Sequence, residues 1–313
     1  MTPLLRIGTR RSKLALAQSG MMQRAIGQAL GVPENEIIHA VPLVEIVTTG
    51  DRIQDRRLLE VGGKSLFTKE IEEALLEGRV DVAVHSMKDV PAEQPQGLAI
   101  AAIPEREDPR DGFISENYAS LADLPMGAKV GTASLRRQAQ LLSIRPDLQI
   151  EMLRGNVDTR LRRLKDGDFD AILLACSGLN RLGFSQVITE RLDLTAFLPA
   201  PGQGALALQT RAGDTDSVWA KAMNHAPTSL CVATERGAML ALEGSCRTAV
   251  GAFAHITGDT LHISTEMLSP DGKGRWTRQG SLPASSSEQE VTELGRQLGE
   301  AVKQVAGDQK VDF

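Results

Sequence analysis

Arginines and lysines recur in this sequence where predicted strands give way to loops or helices. They are Arg10, Arg11, Lys64, Lys69, Lys88, Arg136, Arg137, Arg154 and Arg160. The planar guanidinium of arginine pairs with a carboxylate or a phosphate, and the N-terminus of a helix adds backbone donors. The strand-to-helix position of Arg10, Arg136 and Arg154 therefore favours binding of a small polyanion. Arg162 and Arg163 cannot both face one pocket from a helix, and we interpret them as charges that face water.

A carboxylate follows a lysine at Lys88-Asp89, directly after an apolar strand and shortly before Pro91. A carboxylate in a half-buried cleft is able to protonate a leaving group or to stabilise a developing cation, which makes Asp89 a candidate catalytic residue. The alternative, and the commoner arrangement, is that Asp89 caps the turn or pairs with Lys88. His85 is interpreted as a packing residue, because no second histidine lies at a ligand spacing.

The three cysteines, Cys176, Cys231 and Cys246, lie far apart and form no Cys-x-x-Cys pair. We therefore expect neither a disulfide framework nor a cysteine-rich zinc site, and we interpret Cys176 and Cys231 as small buried hydrophobic residues. Cys246 differs, because small residues precede it and Arg247 favours its thiolate. From the residues alone, a reactive loop thiol and an inert one both remain open.

The bulk composition bounds the class of protein. The chain has 313 residues, 42% of them hydrophobic and 24% charged, which predicts two or three globular domains. Aromatic residues make up 3% and the net charge is −5, which argues against a base-stacking or general polyanion-binding surface. No run approaches the roughly 18 apolar residues that span a bilayer, and the first residues lack a signal peptide's long apolar core, so we expect a cytoplasmic protein.

Two recurring sequence phrases predict two related lobes. Strands that precede Ser12 and Ser134 lead into helices, whose N-termini would add backbone donors for an anion. Two further helices end at Gly78 and Gly167, and an aspartate follows each glycine at the start of an apolar strand. Each half then follows the order β-α-β-α-β, which predicts mainly parallel sheets flanked by helices, with ligands at the carboxyl ends of the strands. Chance similarity of two short phrases is the alternative.

The last part of the chain predicts a smaller α+β domain. Its predicted elements are a helix over 229–242, strands over 249–255 and 260–267, and a helix over 287–305. Ser287 and Glu290 have the spacing of a capping box at the start of the last helix. Cys246 falls in the turn between the first helix and the first strand, outside the two lobes.

Five sequence motifs together resemble the porphobilinogen deaminase family. In chain order they are Val84-His85-Ser86-Met87-Lys88-Asp89-Val90-Pro91, Glu107-Asp108-Pro109-Arg110-Asp111, Gly131-Thr132-Ala133-Ser134-Leu135-Arg136-Arg137-Gln138, Arg154-Gly155-Asn156-Val157 with Thr159-Arg160, and Pro201-Gly202-Gln203-Gly204. The resemblance runs in order from Arg6 to about Gly251 and weakens after that point. The number and order of the motifs argue against an accidental match.

The resemblance implies a transferase that joins four porphobilinogen molecules head to tail, releasing ammonia, to give the linear tetrapyrrole hydroxymethylbilane. It implies two lobes with the fold of type II periplasmic binding proteins and a small C-terminal domain, the first lobe being resumed after Gly204. The expected boundaries are 1–104 with 205–222 for the first lobe, 105–204 for the second, and 223–313 for the domain with the cofactor cysteine. A different class, a non-catalytic two-lobed protein that binds a small anion, is the alternative; Asp89, Cys246 and the third domain favour the enzyme.

The resemblance also implies roles for individual residues. Cys246 is expected to form a thioether to a dipyrromethane, a two-pyrrole cofactor that the enzyme assembles from its own substrate. Asp89 is expected to assist loss of ammonia, to stabilise positive charge on pyrrole nitrogens and to contact the cofactor. The other expected cofactor ligands are Ser86, Lys88, Thr132, Ser134, Arg136 and Arg137. The expected ligands of the substrate or the growing chain are Arg10, Ser12, Gln18, Arg154, Arg160, Gln203 and, in a loop beside the cleft, Lys64 and Phe67.

The expected partners follow from the same resemblance. Porphobilinogen is the small-molecule substrate, and we expect no metal, nucleic acid or membrane to bind. We expect a cytoplasmic monomer that passes its product to the next enzyme of the pathway.

Overall fold

The structure is a computed structural model that describes residues 2–49, 68–242 and 249–307. Within these ranges the chain folds as two compact units. The first unit takes its described residues from 2–49, 68–107 and 205–229, and the second from 108–204, 230–242 and 249–307. The second unit contains both the predicted second lobe and the predicted C-terminal domain, and the division into three domains stays a prediction.

Strands and helices alternate along most of the chain. In chain order the strands are β1 (Ile7–Arg10), β2 (Leu43–Ile46), β3 (Val82–Ser86), β4 (Leu98–Ala102), β5 (Asp111–Ile114), β6 (Lys129–Gly131), β7 (Gln149–Glu151), β8 (Ala171–Ala175), β9 (Glu190–Arg191), β10 (Leu206–Arg211), β11 (Ala249–Thr257), β12 (Thr260–Leu268) and β13 (Arg275–Pro283). The α-helices are α1 (Lys13–Ala29), α2 (Ile37–Ala40), α3 (Lys69–Leu76), α4 (Leu135–Ile144), α5 (Val157–Lys165), α6 (Cys176–Arg181), α7 (Val218–Met223), α8 (Ala226–Ala241) and α9 (Glu288–Gly307). The predicted order is present twice among them, as β1-α1-β2-α3-β3 with the short α2 before β2, and as β6-α4-β7-α5-β8.

The two five-stranded sheets have the same strand order. The first is β2-β1-β3-β10-β4 and the second is β7-β6-β8-β5-β9. In each, the first three strands are parallel and the fourth is antiparallel to both of its neighbours. The antiparallel strand is in each case the first strand after the chain passes from one unit to the other, so the first sheet is resumed after Gly204 as expected. The shared order confirms two related α/β lobes with mainly parallel sheets.

Local signals in the sequence set the helix ends. The hydroxyls of Ser12 and Ser134 each accept a hydrogen bond from the backbone N–H three residues later, at 3.2 and 3.4 Å. They therefore cap α1 and α4 as predicted. Gly78 and Gly167, with φ of 69° and 83°, follow the ends of α3 and α5. Their left-handed backbone confirms the predicted stops, because glycine adopts it without steric cost.

The parallel strands are apolar because helices cover both faces of each sheet. In the first unit, Ile7 and Leu208 pack against Ile26 of α1 on one face of the sheet. Ala83 packs against Ile71 of α3 in a separate cluster. The sheet thereby holds the carboxyl ends of its parallel strands at one edge, where the candidate site residues of this unit lie.

The C-terminal part of the second unit is an antiparallel sheet, β11-β12-β13, packed with α8 and α9. The capping box is confirmed, since Ser287 N–H donates to Glu290 Oε2 at 2.7 Å and Glu290 N–H donates to Ser287 Oγ at 3.3 Å. The two helices approach so closely that a Cβ at Gly295 would overlap the carbonyl oxygen of Thr234. The sequence did not predict β13, because most of its side chains are polar and exposed. None of the described helices is long and apolar enough to cross a membrane.

Candidate functional site

The predicted catalytic segment of the first unit forms a tight turn at the end of β3. Residues Met87–Asp89 make one turn of 3₁₀ helix, which Val90 N–H closes by donating to Met87 O at 3.1 Å. Met87 is buried, and its N–H donates to Ala205 O at 3.0 Å. Lys88 and Asp89 are exposed on the other side of the turn. The buried methionine and the strand register therefore fix the backbone from which the two charged side chains project.

The carboxylate of Asp89 has no internal partner in the part of the chain that the structure describes. It forms neither a hydrogen bond nor an ion pair there, with Lys88 or with any other residue. The alternative drawn from the sequence, an aspartate used as a cap or a local ion pair, is therefore not the observed arrangement. An exposed carboxylate on a fixed turn is available to a ligand.

Two predicted ligand residues meet beside this turn. Gln18 of α1 is buried, and its Nε2 donates to Ser86 Oγ at 3.2 Å. Ser12 is the N-cap residue of the same helix, α1. Arg10 ends β1, the strand adjacent to β3. The fold thus gathers five predicted ligands of the first unit at the ends of two neighbouring strands and the start of α1; they are Arg10, Ser12, Gln18, Ser86 and Lys88.

His85 is a buried, neutral histidine of β3. Burial, together with the positive charge of Arg10, lowers its pKa to about 4, while the hydrogen bond with Gln209 opposes the shift. Its Nε2 lies 3.1 Å from Gln209 Oε1. The interpretation of His85 as a satisfied internal residue is confirmed, and no cluster of metal-ligating side chains occurs among the described residues.

A buried aspartate organises the predicted ligands of the second unit. Asp111, the first residue of β5, has no exposed surface. Its carboxylate accepts from Arg136 Nη1 at 2.7 Å, from Arg137 Nη2 at 2.7 Å and from Gln203 Nε2 at 2.9 Å. Burial alone would raise the pKa of Asp111, but the charges of the two arginines hold it well below its usual range. Two guanidinium groups share one carboxylate, so the cluster keeps one net positive charge.

The sequence did not identify Asp111 as a site residue. It lies in the motif Glu107–Asp111, and the signal was its position at the start of an apolar strand that carries no other charge. Gln203 was predicted to bind substrate, but it is buried and its amide nitrogen donates to Asp111 and to Pro109 O at 2.7 Å. These bonds make Gln203 a support for Asp111, and its contact with substrate stays a prediction.

The two arginines are also held by neutral acceptors. Arg136 Nη1 donates to Gln140 Oε1 at 2.9 Å and to Leu198 O at 2.7 Å, and Arg137 Nη1 donates to Leu173 O at 3.1 Å. The Nε of Arg136 is buried and has no acceptor among residues 2–49, 68–242 and 249–307. The internal contacts therefore position the guanidiniums and leave the buried Nε–H of Arg136 without an acceptor among the described residues.

A second positive group lies close to this cluster. Burial, together with the positive charges of Arg137 and Arg154, lowers the pKa of Arg160 to about 10. Arg160 Nε donates to Gly155 O at 2.8 Å. Gly155 has φ of 110°, a backbone conformation that L side chains rarely adopt, and the turn it makes brings this carbonyl to the guanidinium. Three mutually repelling cations favour the binding of an anion.

Neutral donors accompany these cations at the start of α4. Thr132 is buried at the end of β6, and its hydroxyl accepts from Ser134 N–H at 3.2 Å. Ser134 then caps α4 and turns the helix N-terminus toward the end of the strand. Arg163 lies outside this arrangement: it pairs with Asp168 at 2.7 Å, and Arg162 is exposed, which confirms their interpretation as surface charges.

Three predicted site residues, Lys64, Phe67 and Cys246, lie outside the described residues. Three residues after Cys246 in the sequence, Ala249 packs in a buried cluster with Ala139 of α4 and with Leu268. The other two cysteines, Cys176 and Cys231, are buried, as predicted, and both are free thiols in the described ranges. Burial raises the pKa of Cys176 to about 12, which leaves this thiol uncharged and unreactive.

Two family models match the chain. The model described as "Porphobilinogen deaminase, dipyromethane cofactor binding domain" matches residues 5–218, and "Porphobilinogen deaminase, C-terminal domain" matches residues 229–304. A relative from Phenylobacterium zucineum named porphobilinogen deaminase is 59% identical over 312 residues, which cover 98% of each chain. A relative of the same name from Caulobacter vibrioides is 58% identical over 312 residues, covering 98% of this chain and 97% of that one.

The chain also has similarities to solved structures. One is the methionine-binding protein MetQ, with 15% identity and a TM-score of 0.43 over 70% of this chain and 87% of that one. Another is a periplasmic substrate-binding protein of an ABC transporter from Coxiella burnetii, with 17% identity and a TM-score of 0.43 over 74% of this chain and 96% of that one. A third is a nutrient-binding protein from Burkholderia cenocepacia bound to methionine, with 17% identity and a TM-score of 0.42 over 70% of this chain and 89% of that one.

Proposed function

This chain belongs to the porphobilinogen deaminase family, and from that premise we propose that Asp89 and Cys246 carry its chemistry while its basic residues bind carboxylates. The chain is a transferase of tetrapyrrole biosynthesis that joins four porphobilinogen molecules, with release of ammonia, into hydroxymethylbilane. Its cofactor is a dipyrromethane. The non-catalytic alternative is not favoured, because the family models match both the lobes and the C-terminal part.

The residues of the second unit fit a dipyrromethane. Each of its pyrroles carries an acetate and a propionate, so its site must supply cations and hydrogen-bond donors. The Arg136 Nε is a buried donor without an acceptor in the described chain, and such a group costs about 1–3 kcal/mol until a partner binds. The pKa of Arg160 is lowered first by burial and then by the positive charges of Arg137 and Arg154. Carboxylates relieve both conditions.

We propose that six residues bind the carboxylates of the cofactor. In the second unit they are Thr132, Ser134, Arg136 and Arg137, and in the first unit Ser86 and Lys88. Asp111 positions both guanidiniums without neutralising both, so a net positive charge remains for a ligand. The internal bonds of Arg136 and Arg137 also reduce the conformational entropy that binding would otherwise cost.

We assign the carboxylates of incoming porphobilinogen and of the growing chain to a second set of residues. They are Arg10, Ser12, Gln18, Arg154, Arg160 and Gln203, with Lys64 and Phe67 outside the described residues. Every porphobilinogen adds two carboxylates, so the number of negative charges rises at each step. Arginines that are always charged suit this demand, since their charge does not depend on the step.

Asp89 is the residue that we assign to the reaction itself. The observation that carries this assignment is its exposed carboxylate, which has no partner among the described residues. When bound, the dipyrromethane supplies the pyrrole end from which the chain grows. A carboxylate close to a pyrrole nitrogen stabilises the positive charge that develops there when ammonia leaves and when a carbon–carbon bond forms. Because none of the described residues forms an ion pair with Asp89, its carboxylate is available for this purpose.

Cys246 is the proposed covalent anchor, and it lies outside the described residues. It precedes Ala249, the first residue of β11, by three residues in the sequence. Ala249 packs against Ala139, one turn after Arg136 on α4. The strand that follows Cys246 in the sequence thus packs against the helix that carries two of the proposed cofactor ligands, which supports the assignment.

Intact-protein mass spectrometry tests the anchor. The wild-type chain is expected to carry an added mass equal to two linked pyrroles, and the Cys246→Ser variant is expected to have the mass of the bare chain. Cys231→Ser is the matched control, because this buried thiol is expected to leave the added mass in place. A bare-chain mass in freshly prepared, active wild-type enzyme would overturn the assignment, as would an added mass retained by Cys246→Ser.

The remaining proposals concern the enzyme in the cell. We propose a cytoplasmic monomer that passes hydroxymethylbilane to the next enzyme of the pathway. Cys176 and Cys231 remain thiols, which is usual in a reducing compartment. Sedimentation equilibrium at micromolar concentration is expected to give the mass of one chain, 33.7 kDa plus the cofactor. A dimer mass would contradict the proposal.

A further inference from the structure

We propose that a chain of side-chain hydrogen bonds, from His85 through Gln209 and Gln94 to Pro91, positions the turn that carries Asp89. The proposal rests on the proposed function, because it concerns the placement of the Asp89 carboxylate. It assigns His85, Gln209 and Gln94 as positioning residues. None of the three needs to touch substrate.

The hydrogen bonds of this chain run in one direction. His85 Nε2 lies 3.1 Å from Gln209 Oε1, Gln209 Nε2 donates to Gln94 Oε1 at 2.9 Å, and Gln94 Nε2 donates to Pro91 O at 3.2 Å. Because the nitrogen of Gln209 donates to Gln94, its oxygen faces His85, and the proton of His85 is on Nε2. This series of hydrogen bonds begins at His85 and ends at Pro91. Because both residues flank Asp89 in the sequence, the bonds close a loop around Asp89.

The topology of the first sheet brings these residues together. β10 is antiparallel to β3, and His85 lies opposite Ala207, two residues before Gln209 on the same face. The pairing of β10 with β4 shifts register between Leu208 and Gln209, because Leu208 pairs with Ala102 and Gln209 pairs with Ile100. Ala101 of β4 is the extra residue, and this local irregularity lies beside Gln209.

Burial gives these bonds their effect. Gln209 has no exposed surface and His85 is 5% exposed, so both need internal partners. The charged groups that face them are Arg10 of β1, which lowers the pKa of His85, and Glu72 of α3. Burial raises the pKa of Glu72, while hydrogen bonding by Thr68 and by Gln209 opposes the rise. His85 therefore remains a neutral donor, and Gln209 has little freedom to rotate.

The described backbone is held by hydrogen bonds on both sides of Asp89. Before it, Met87 N–H donates to Ala205 O at 3.0 Å, and Val90 N–H closes the turn by donating to Met87 O at 3.1 Å. After it, the carbonyl of Pro91 accepts from Gln94. Asp89 itself has no hydrogen bond with the described residues that could hold it, so its carboxylate is placed through the backbone. Loss of the bond from Gln94 to Pro91 removes one of these constraints on the turn, and a displacement of about 1 Å at a catalytic group reduces rate by up to about a hundredfold.

Steady-state kinetics of Gln94→Met, Gln209→Met and the double variant tests this series of hydrogen bonds. Gln94 is half-buried, so its replacement spares the core, whereas Gln209→Met also disturbs Glu72. Each single variant is expected to lower kcat about tenfold, with KM for porphobilinogen within about twofold of wild type. The double variant is expected to be no slower than the slower single variant, because one broken link disables the whole chain. Gln96→Met is the matched control, since this exposed glutamine of the same loop takes no part in these three hydrogen bonds. Its kcat is expected to equal that of wild type.

Two results would overturn the inference: a Gln94→Met variant with kcat within about twofold of wild type, or losses that multiply in the double variant. Intact mass and melting temperature, measured for every variant, separate a displaced turn from a lost cofactor or a lost fold. Should Gln209→Met fail to fold, Gln94→Met alone decides. Asp89→Asn, measured alongside, separates the two proposals: if it is active, the proposed function fails, and if it is inactive while Gln94→Met is normal, only the positioning inference fails.

Discussion

Replacing Asp89 with asparagine is expected to lower kcat about a thousandfold while the protein stays folded. The change keeps the size and one oxygen of the side chain but removes the negative charge that we assign to the developing cation. General acid–base and electrostatic groups contribute about 10²–10⁴-fold to rate, and Asp89 is the carboxylate proposed for both tasks. Its exposure and lack of internal bonds in the described chain imply an unchanged melting temperature.

The measurement is kcat and KM for porphobilinogen, referred to the fraction of enzyme that carries the cofactor by intact mass. Glu93→Gln is the matched control, because it removes one exposed carboxylate from the same loop and is expected to retain normal turnover. Near-normal turnover of Asp89→Asn would remove Asp89 from its proposed role. An equal loss in Glu93→Gln would instead indicate that the loop as a whole, and not the Asp89 charge, supports the rate.

Replacing Asp111 with asparagine is expected to lower the free energy of unfolding by about 3–5 kcal/mol. The change leaves the guanidiniums of Arg136 and Arg137 buried without their counterion, at 5% and 6% exposure. Removing one partner of a buried ion pair is costly, because the remaining charge has lost both water and partner. Urea unfolding at neutral pH measures the loss, and Asp168→Asn, which breaks the surface pair with Arg163, is expected to cost less than about 1 kcal/mol.

The contribution of Asp111 also depends on pH in a defined direction. Its pKa in the folded protein lies well below that of an unfolded aspartate, near 3.9. The stabilisation is therefore complete above about pH 4 and is lost only as the pH falls through the lower, folded pKa. Equal stability of Asp111→Asn and wild type at pH 7 would contradict the role. A second change, Arg137→Met, is expected to restore part of the lost stability, since it removes one stranded charge.

The sequence predicted the elements whose signals are local. Ser12, Ser134, Gly78 and Gly167 mark helix ends by hydrogen bonding and backbone conformation within one turn, and all four are where the pattern placed them. Apolar runs likewise predicted the buried parallel strands. β13 was not predicted because its sequence shows only a weak alternation of polar and apolar residues. The strand is stabilised by its pairing with β12, which lies elsewhere in the sequence.

The site was predicted less completely, because its contacts connect distant parts of the chain. Arg136 and Asp111 are 25 residues apart, Gln203 and Asp111 are 92 apart, and His85 and Gln209 are 124 apart. Residue type and spacing identified the arginines as anion ligands, but they contain no information on which arginine already has an internal acceptor. Asp111 was overlooked for the same reason, since a lone aspartate at a strand start shows its partners only in three dimensions.

The strand order of the first sheet has a consequence for synthesis on the ribosome. Among the described strands, β3 and β4 are both paired with β10 and are joined to each other only through it. The residues of β10, Leu206–Arg211, are translated after the whole of 108–204. Until they emerge, the nascent first sheet has two unpaired strand edges, and such edges are prone to pair with other chains. The second sheet has no such delay, because its antiparallel strand β5 is translated before the strands on either side of it. The first lobe to be translated is therefore the later to be completed, and the edges of β3 and β4 that face β10 stay unpaired over that interval.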